Sequence, residues 1–287
     1  MYPAIHDLVS AVLCEYQLIL TTQEVNHSGS GISLNIRKGA KSMSKKMNVT
    51  IYNEFYHEQH KEDVARIYPK GMHQTIADFL MKEADMGVLT AATLDNHEEI
   101  LTQDCLDQTD VMIWWGHVKH EEVSEQVVER VCERVYAGMG LVVLHSGHAS
   151  KVFRRLMGTP SQLLRWREAD ERCRVWTIAQ GHPIARGLGE SFVVPQEETY
   201  GEQFSIPAPD ELVFISWFEG GEVFRSGCTY RRGAGNIFYF QNGHETYPIY
   251  HQKEVQLVIK NAVRWACPED RLVSYDLGGP NAPALET

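Results

Sequence analysis

Two short apolar runs and the helix between them limit what this chain can fold into. Residues 111–115 (VMIWW) and 141–144 (LVVL) are apolar at every position, without the alternation of a half-exposed strand. Between them, residues 121–137 place Val123, Val127, Val131 and Val135 four apart, with Glu and Arg on the other face, and Gly138 and Gly140 end the helix. A strand, a helix and a strand, with both strands apolar throughout, is the unit of a parallel sheet covered by helices on both faces.

The same alternation begins at Asn48. Residues 49–52 (VTIY) read as a buried strand, 71–84 as a helix with Met72, Ile76, Phe79 and Leu80 on one face, and 87–90 as a second strand. Past residue 172 the pattern is richer in strands: 174–178, 192–194, 212–217, 222–226 and 236–240. A helix over 253–266, with Val255, Val258, Ile259, Ala262 and Val263 on one face, closes the domain. Residues 1–46 have no clean period and end in a Ser/Gly/Lys-rich stretch. They read as a poorly ordered extension, the rival reading being a docked helix over 5–20. The domain is expected at 47–270, with a patternless tail at 271–287.

The formal net charge of -11, with one short basic patch at Lys41, Lys45 and Lys46, argues against a nucleic-acid or anionic-membrane partner. Six scattered cysteines without a CxxC pair argue against a zinc ribbon or a thioredoxin motif, and fit a reducing, cytoplasmic compartment. The apolar stretch Leu8–Leu20 is interrupted by Ser10, Glu15 and Gln17 and is too short to span a bilayer; it also lacks the marks of a signal peptide. No phosphate loop, no GxGxxG after a strand and no GxSxG elbow is present, so no nucleotide cofactor is expected.

In an open α/β sheet, ligands bind beyond the carboxyl ends of the strands. Seven of the 13 histidines fall just after strands: His57 and His60, His117 and His120, His145 and His148, and His244. Imidazole is the commonest metal ligand and is poised for proton transfer near neutral pH. Convergence of His117, His145, His148 and His244 in one pocket is the sharp expectation, with His60, His120 and His251 open to a bland loop reading. Glu54 and Glu198 are the candidate carboxylates, while Glu197 reads as a solvated acidic turn. Trp114, Trp115 and Tyr200 could stack on a sugar, one of the two tryptophans being core. Ser146, at a strand-to-helix turn, reads as a helix cap rather than a nucleophile.

The runs 140–148 (GLVVLHSGH), 182–188 (HPIARGL), 197–200 (EETY) and 235–244 (GNIFYFQNGH) resemble, in order and spacing, the trehalose-utilisation (ThuA-like) family. The resemblance covers about residues 48–267. It implies an α/β fold like that of class I glutamine amidotransferases, a flavodoxin-like three-layer sandwich with a mainly parallel sheet. His244 and Glu245 fall where those enzymes keep their catalytic His, but their nucleophilic Cys is replaced by His145 and Ser146, so glutaminase activity is not expected. The family implies catabolism of trehalose or related disaccharides through 3-keto sugars, by a metal-assisted lyase or isomerase. On this reading His57, His117, His145 and His244 hold a divalent metal, zinc being the expectation although manganese, iron and nickel take the same ligands. His148, Glu198 and Tyr200 are the catalytic candidates, and Asn53, Glu54, His120, Gln241 and Asn242 the substrate-binding ones. The rivals are a non-catalytic carbohydrate-binding or regulatory protein on the same scaffold, and a hydrolase using Ser146. Self-association is open.

Overall fold

The computed structural model describes residues 46–162 and 165–269, so the expectations for the leader and for the tail lie outside the described residues. The chain runs β1 (Met47–Asn53), α1 (Tyr56–His60), α2 (Glu62–Ile67), α3 (Met72–Leu80), β2 (Met86–Thr93), α4 (His97–Ile100), α5 (Gln103–Gln108), β3 (Val111–Trp115), α6 (Glu125–Tyr136), β4 (Gly140–Leu144) and α7 (Lys151–Met157). Then come β5 (Arg165–Thr177), β6 (Ser191–Gly201), β7 (Glu211–Phe218), β8 (Val223–Arg232), β9 (Gly235–Phe240) and α8 (Lys253–Ala266).

All nine strands form one sheet in the order β2-β1-β3-β4-β9-β8-β7-β5-β6. From β2 to β9 every pairing is parallel. From β9 to β6 every pairing is antiparallel. The sheet is therefore mixed, which corrects the expectation of a mainly parallel one. The physical reason is the connections: β7, β8 and β9 are joined by short turns such as the one at Gly220 and Gly221, and only antiparallel strands can be joined that way.

In the parallel half, β3 and β4 are buried at every residue, so both faces are covered. α3 and α8 pack on one another, with α3 on β1 and β2 and α8 on β4 and β9. α5, α6 and α7 form a second packed group, with α6 against β9. Val127, Val128, Val131 and Val135 are the buried stripe of α6, which starts later than its apolar period suggests because the Ser124 hydroxyl accepts the Val127 N–H and caps it. β5 begins nine residues before the expected strand. Its first half, Arg165–Arg172, is mostly exposed and polar and pairs with β6 as a ribbon, so no apolar run marks it. Among the described residues no helix is long and apolar enough to cross a membrane.

Candidate functional site

The histidine segments do meet. His145 is the first residue after β4 and holds a left-handed backbone, φ 51°, at the turn. It is fully buried, and its Nδ1 lies 2.8 Å from the Gln241 carbonyl. A carbonyl only accepts, so the proton sits on Nδ1 and Nε2 is turned toward the site. There Nε2 faces the Glu198 carboxylate at 3.1 Å and the Tyr200 hydroxyl at 3.4 Å. Burial opposes charge on His145, but Glu198, together with Glu197, outweighs it and holds the pKa above the usual imidazole value.

Glu198 comes from β6, and its buried Oε2 is the atom paired with His145 Nε2. His244 follows β9, with Nε2 3.7 Å from that oxygen and 3.5 Å from Glu245 Oε2. Gly243, at φ 148°, precedes it; a Cβ there would lie 2.1 Å from the Tyr250 hydroxyl, so only glycine allows this approach. His117 follows β3. Among the described residues, His117, His145, Glu198 and His244 form a group whose ligand atoms all lie within 4.8 Å of one another. His57, His117 and Glu245 form a second such group. Burial drives the pKa of His117 down to about 3 and of His57 to about 4, and lowers His244 further, so these rings are neutral at neutral pH.

A pocket of about 410 Å3 opens above the first group, within the usual range for small-ligand sites. Tyr200, Ser146, His148 and His120 line it beside the group, and Trp166, Glu168 and Lys61 stand around it. His148 Nδ1 lies 2.6 Å from the Ser161 carbonyl, which puts its proton there and leaves Nε2 as an acceptor; burial lowers its pKa to about 3. Burial also lowers His120 to about 4 and raises Tyr200 well above the usual phenol value, so Tyr200 keeps its proton.

Several expected residues stand elsewhere. Glu54 uses its carboxylate to accept the backbone N–H groups of His117, Val118 and Lys119 at 2.8–3.0 Å, which shapes the loop that carries His117. Asn53 donates to Glu58 and does not line the pocket. Gln241 and Asn242 are fully buried; the first anchors His145 and the second donates to Glu197. Glu197 is not a solvated turn. It is fully buried and accepts from the Asn242 side chain and the backbone N–H groups of Gly243 and His244, bracing the His244 turn. Ser146 is not the cap of α7, because Ser150 fills that role; its hydroxyl bonds Tyr200 at 2.8 Å. Both Trp114 and Trp115 are core, and Trp115 Nε1 donates to the Gly243 carbonyl. Glu245, Lys61, Trp166 and Glu168 stand at the site although the spacing of the histidines does not point to them. Glu245 was visible as the direct neighbour of a strand-end histidine, and Trp166 as an indole alone in a charged run.

The sequence matches the family model described as trehalose utilisation over residues 48–266. The chain belongs to the ThuA family. No curated protein matches it. A putative ThuA-like protein from Parabacteroides merdae is similar in fold, with a TM-score of 0.59, 13% identity, and 79% of this chain and 93% of that one covered. One from Bacteroides uniformis has a TM-score of 0.56 and 18% identity over 80% of this chain and 95% of its own. A Salmonella typhimurium protein described as cytoplasmic has a TM-score of 0.52 and 12% identity, covering 77% and 99%. At these identities the likeness is one of fold.

Proposed function

We propose that this ThuA protein is a cytoplasmic, metal-dependent lyase or isomerase acting on a 3-keto sugar derived from trehalose or a related disaccharide. One observation carries the reading: the ligand atoms of His117, His145, Glu198 and His244 lie within 4.8 Å of one another beside a pocket of about 410 Å3. The donor set fits a divalent cation. The Nδ1 proton of His145 is committed to Gln241, two of the rings are neutral through burial, and the buried Glu198 Oε2 faces the Nε2 atoms of both His145 and His244. Zinc suits these ligands, as do manganese, iron and nickel. When bound, the cation supplies a Lewis acid that polarises the ketone oxygen.

The chain's residues supply the rest. A ketone at C3 acidifies the C2–H bond. His148 Nε2, held as an acceptor, takes that proton; the C2–H electron pair forms the C1–C2 double bond, and the C1–O bond to the second sugar breaks, its pair leaving on that sugar's oxygen, which takes up a proton from solvent. Tyr200, kept protonated by burial and backed by Ser146, donates a hydrogen bond to substrate oxygen. Trp166, 66% exposed at the pocket, offers an indole face to the C–H side of a pyranose ring, and Glu168 accepts from its hydroxyls.

The test is turnover of 3-keto-trehalose by purified protein, with metal analysis before and after chelation. We expect near-stoichiometric metal, loss of turnover on chelation, and a fall of about 10³-fold or more for His145→Ala or His244→Ala. Full turnover by the metal-free protein overturns the reading. Binding of unoxidised trehalose without turnover of either sugar supports a carbohydrate-binding protein instead.

A further inference from the structure

A second histidine group shares His117 with the first, and its ligand atoms lie as close together. His57 Nε2 lies 2.8 Å from His117 Nδ1 and 3.5 Å from Glu245 Oε1, and His117 Nδ1 lies 3.6 Å from the same oxygen. Donors bound to one ion at about 2.0–2.2 Å are themselves roughly 3–3.5 Å apart. We propose that His57, His117 and Glu245 hold a second divalent cation beside the first, with the His117 ring giving up its N–H proton to solvent and offering one nitrogen to each site, and with Glu245 lying between them. The proposal rests on the metal reading of the first group.

Three features support it. The set is two imidazoles and one carboxylate, which binds divalent metals and leaves positions open for substrate. Glu245 is fully buried and its two oxygens address different groups: Oε1 faces His57 and His117, while Oε2 lies 3.5 Å from His244 and has no hydrogen-bond donor. His57 is also buried, and its Nε2 is held to His117 Nδ1 by a 2.8 Å hydrogen bond that a cation would replace. Finally, a cation is already drawn to this point. The Lys61 ammonium sits 3.2 Å from Glu245 Oε1, at the end of a side chain that is 49% exposed and can swing out. A buried carboxylate needs a compensating charge, and Lys61 supplies it where a metal ion would. Lys61 is thus a competitor that sets the affinity of the second site. Two cations side by side would give the ketone and a neighbouring hydroxyl oxygen of an α-hydroxyketone one contact each.

The measurement is metal stoichiometry on the full chain, stripped by chelation and reloaded with Zn2+ or Mn2+, with the Mn2+ form read by electron paramagnetic resonance for spin coupling between neighbouring ions. The wild type is expected to hold two ions, spin-coupled as Mn2+. His57→Ala is expected to keep one ion and lose the coupling, with second-site affinity down about 100-fold. Lys61→Met is expected to tighten the second ion by about tenfold or more. One ion in the wild type, lost in His145→Ala, unchanged in His57→Ala and not joined by a second in Lys61→Met, overturns this proposal and leaves the first site standing. No ion in any of the four proteins overturns both.

Discussion

Removing the buried carboxylate of Glu197 measures how the His244 turn is held. In Glu197→Ala four donors lose their acceptor: the Asn242 amide at 3.1 Å, the Gly243 N–H at 3.0 Å, the His244 N–H at 3.3 Å and the Glu198 N–H at 3.0 Å. Each buried donor left unpaired costs about 1–3 kcal/mol, and water entering the space relieves part of it, so the expected loss is about 3–5 kcal/mol. That corresponds to a fall in Tm of about 10 °C. Glu197→Gln keeps the volume and one acceptor but turns an N–H toward a donor, for an expected loss of about 1–3 kcal/mol. Burial pushes the Glu197 pKa up to about 7. A carboxyl raised in the folded state stabilises below its unfolded pKa, and this is lost as pH rises through the folded value. The wild type should therefore lose ground to Glu197→Gln as pH rises through about 7. Urea unfolding of the metal-free proteins at pH 5.5 and 8 reads both effects. A Glu197→Ala protein within about 0.5 kcal/mol of wild type refutes the bracing role.

Three further outcomes are expected. In the metal-free protein the His145–Glu198 pair stabilises fully below the ordinary histidine pKa and loses that contribution as pH rises through the raised folded value; metal binding should tighten over the same rise and release about one proton per ion at the first site. Calorimetry in buffers of different ionisation enthalpy measures that proton, and finding none excludes His145 Nε2 as a ligand. Trp166→Ala should weaken sugar binding by about 1–2 kcal/mol and leave metal content unchanged, and unaltered sugar affinity in a binding titration would remove Trp166 from the pocket's function. Ser146→Ala should retain turnover within about tenfold, because the hydroxyl only supports Tyr200; complete loss, with labelling of the wild type by a serine-directed reagent, would favour a hydrolase.

The parallel half of the fold was legible because its strands are buried on both faces and so are apolar without interruption: β3 is met residue for residue, and α8 by its apolar stripe. The antiparallel half was read as strands but not as a ribbon. The outer part of β5 is held by its pairing with β6, and its side chains face water, so its sequence carries no apolar signal. The histidines were legible because strand ends are where an α/β sheet places ligands. Glu197 was misread for a different reason. Two adjacent glutamates look solvated, and what makes Glu197 core is the set of donors on the β9 turn, 45 residues or more away. Trp114 and Trp115 show the converse: large aromatics near a site that are fully used in packing.

The donors gathered here lie at positions 57, 117, 145, 198, 244 and 245, on both halves of the mixed sheet. No partly formed version of the fold can present them together, since Glu198 reaches the site only when β6 is in place at the far edge of the sheet. Such distant closures are slow and come late in folding. On the proposed metal reading, an ion bound in the native manner adds its binding free energy to the finished fold alone, and metal-loaded protein should resist proteolysis and heat beyond the stripped form. Excess metal during refolding should have the reverse effect, by joining histidines that the native chain keeps for different neighbours.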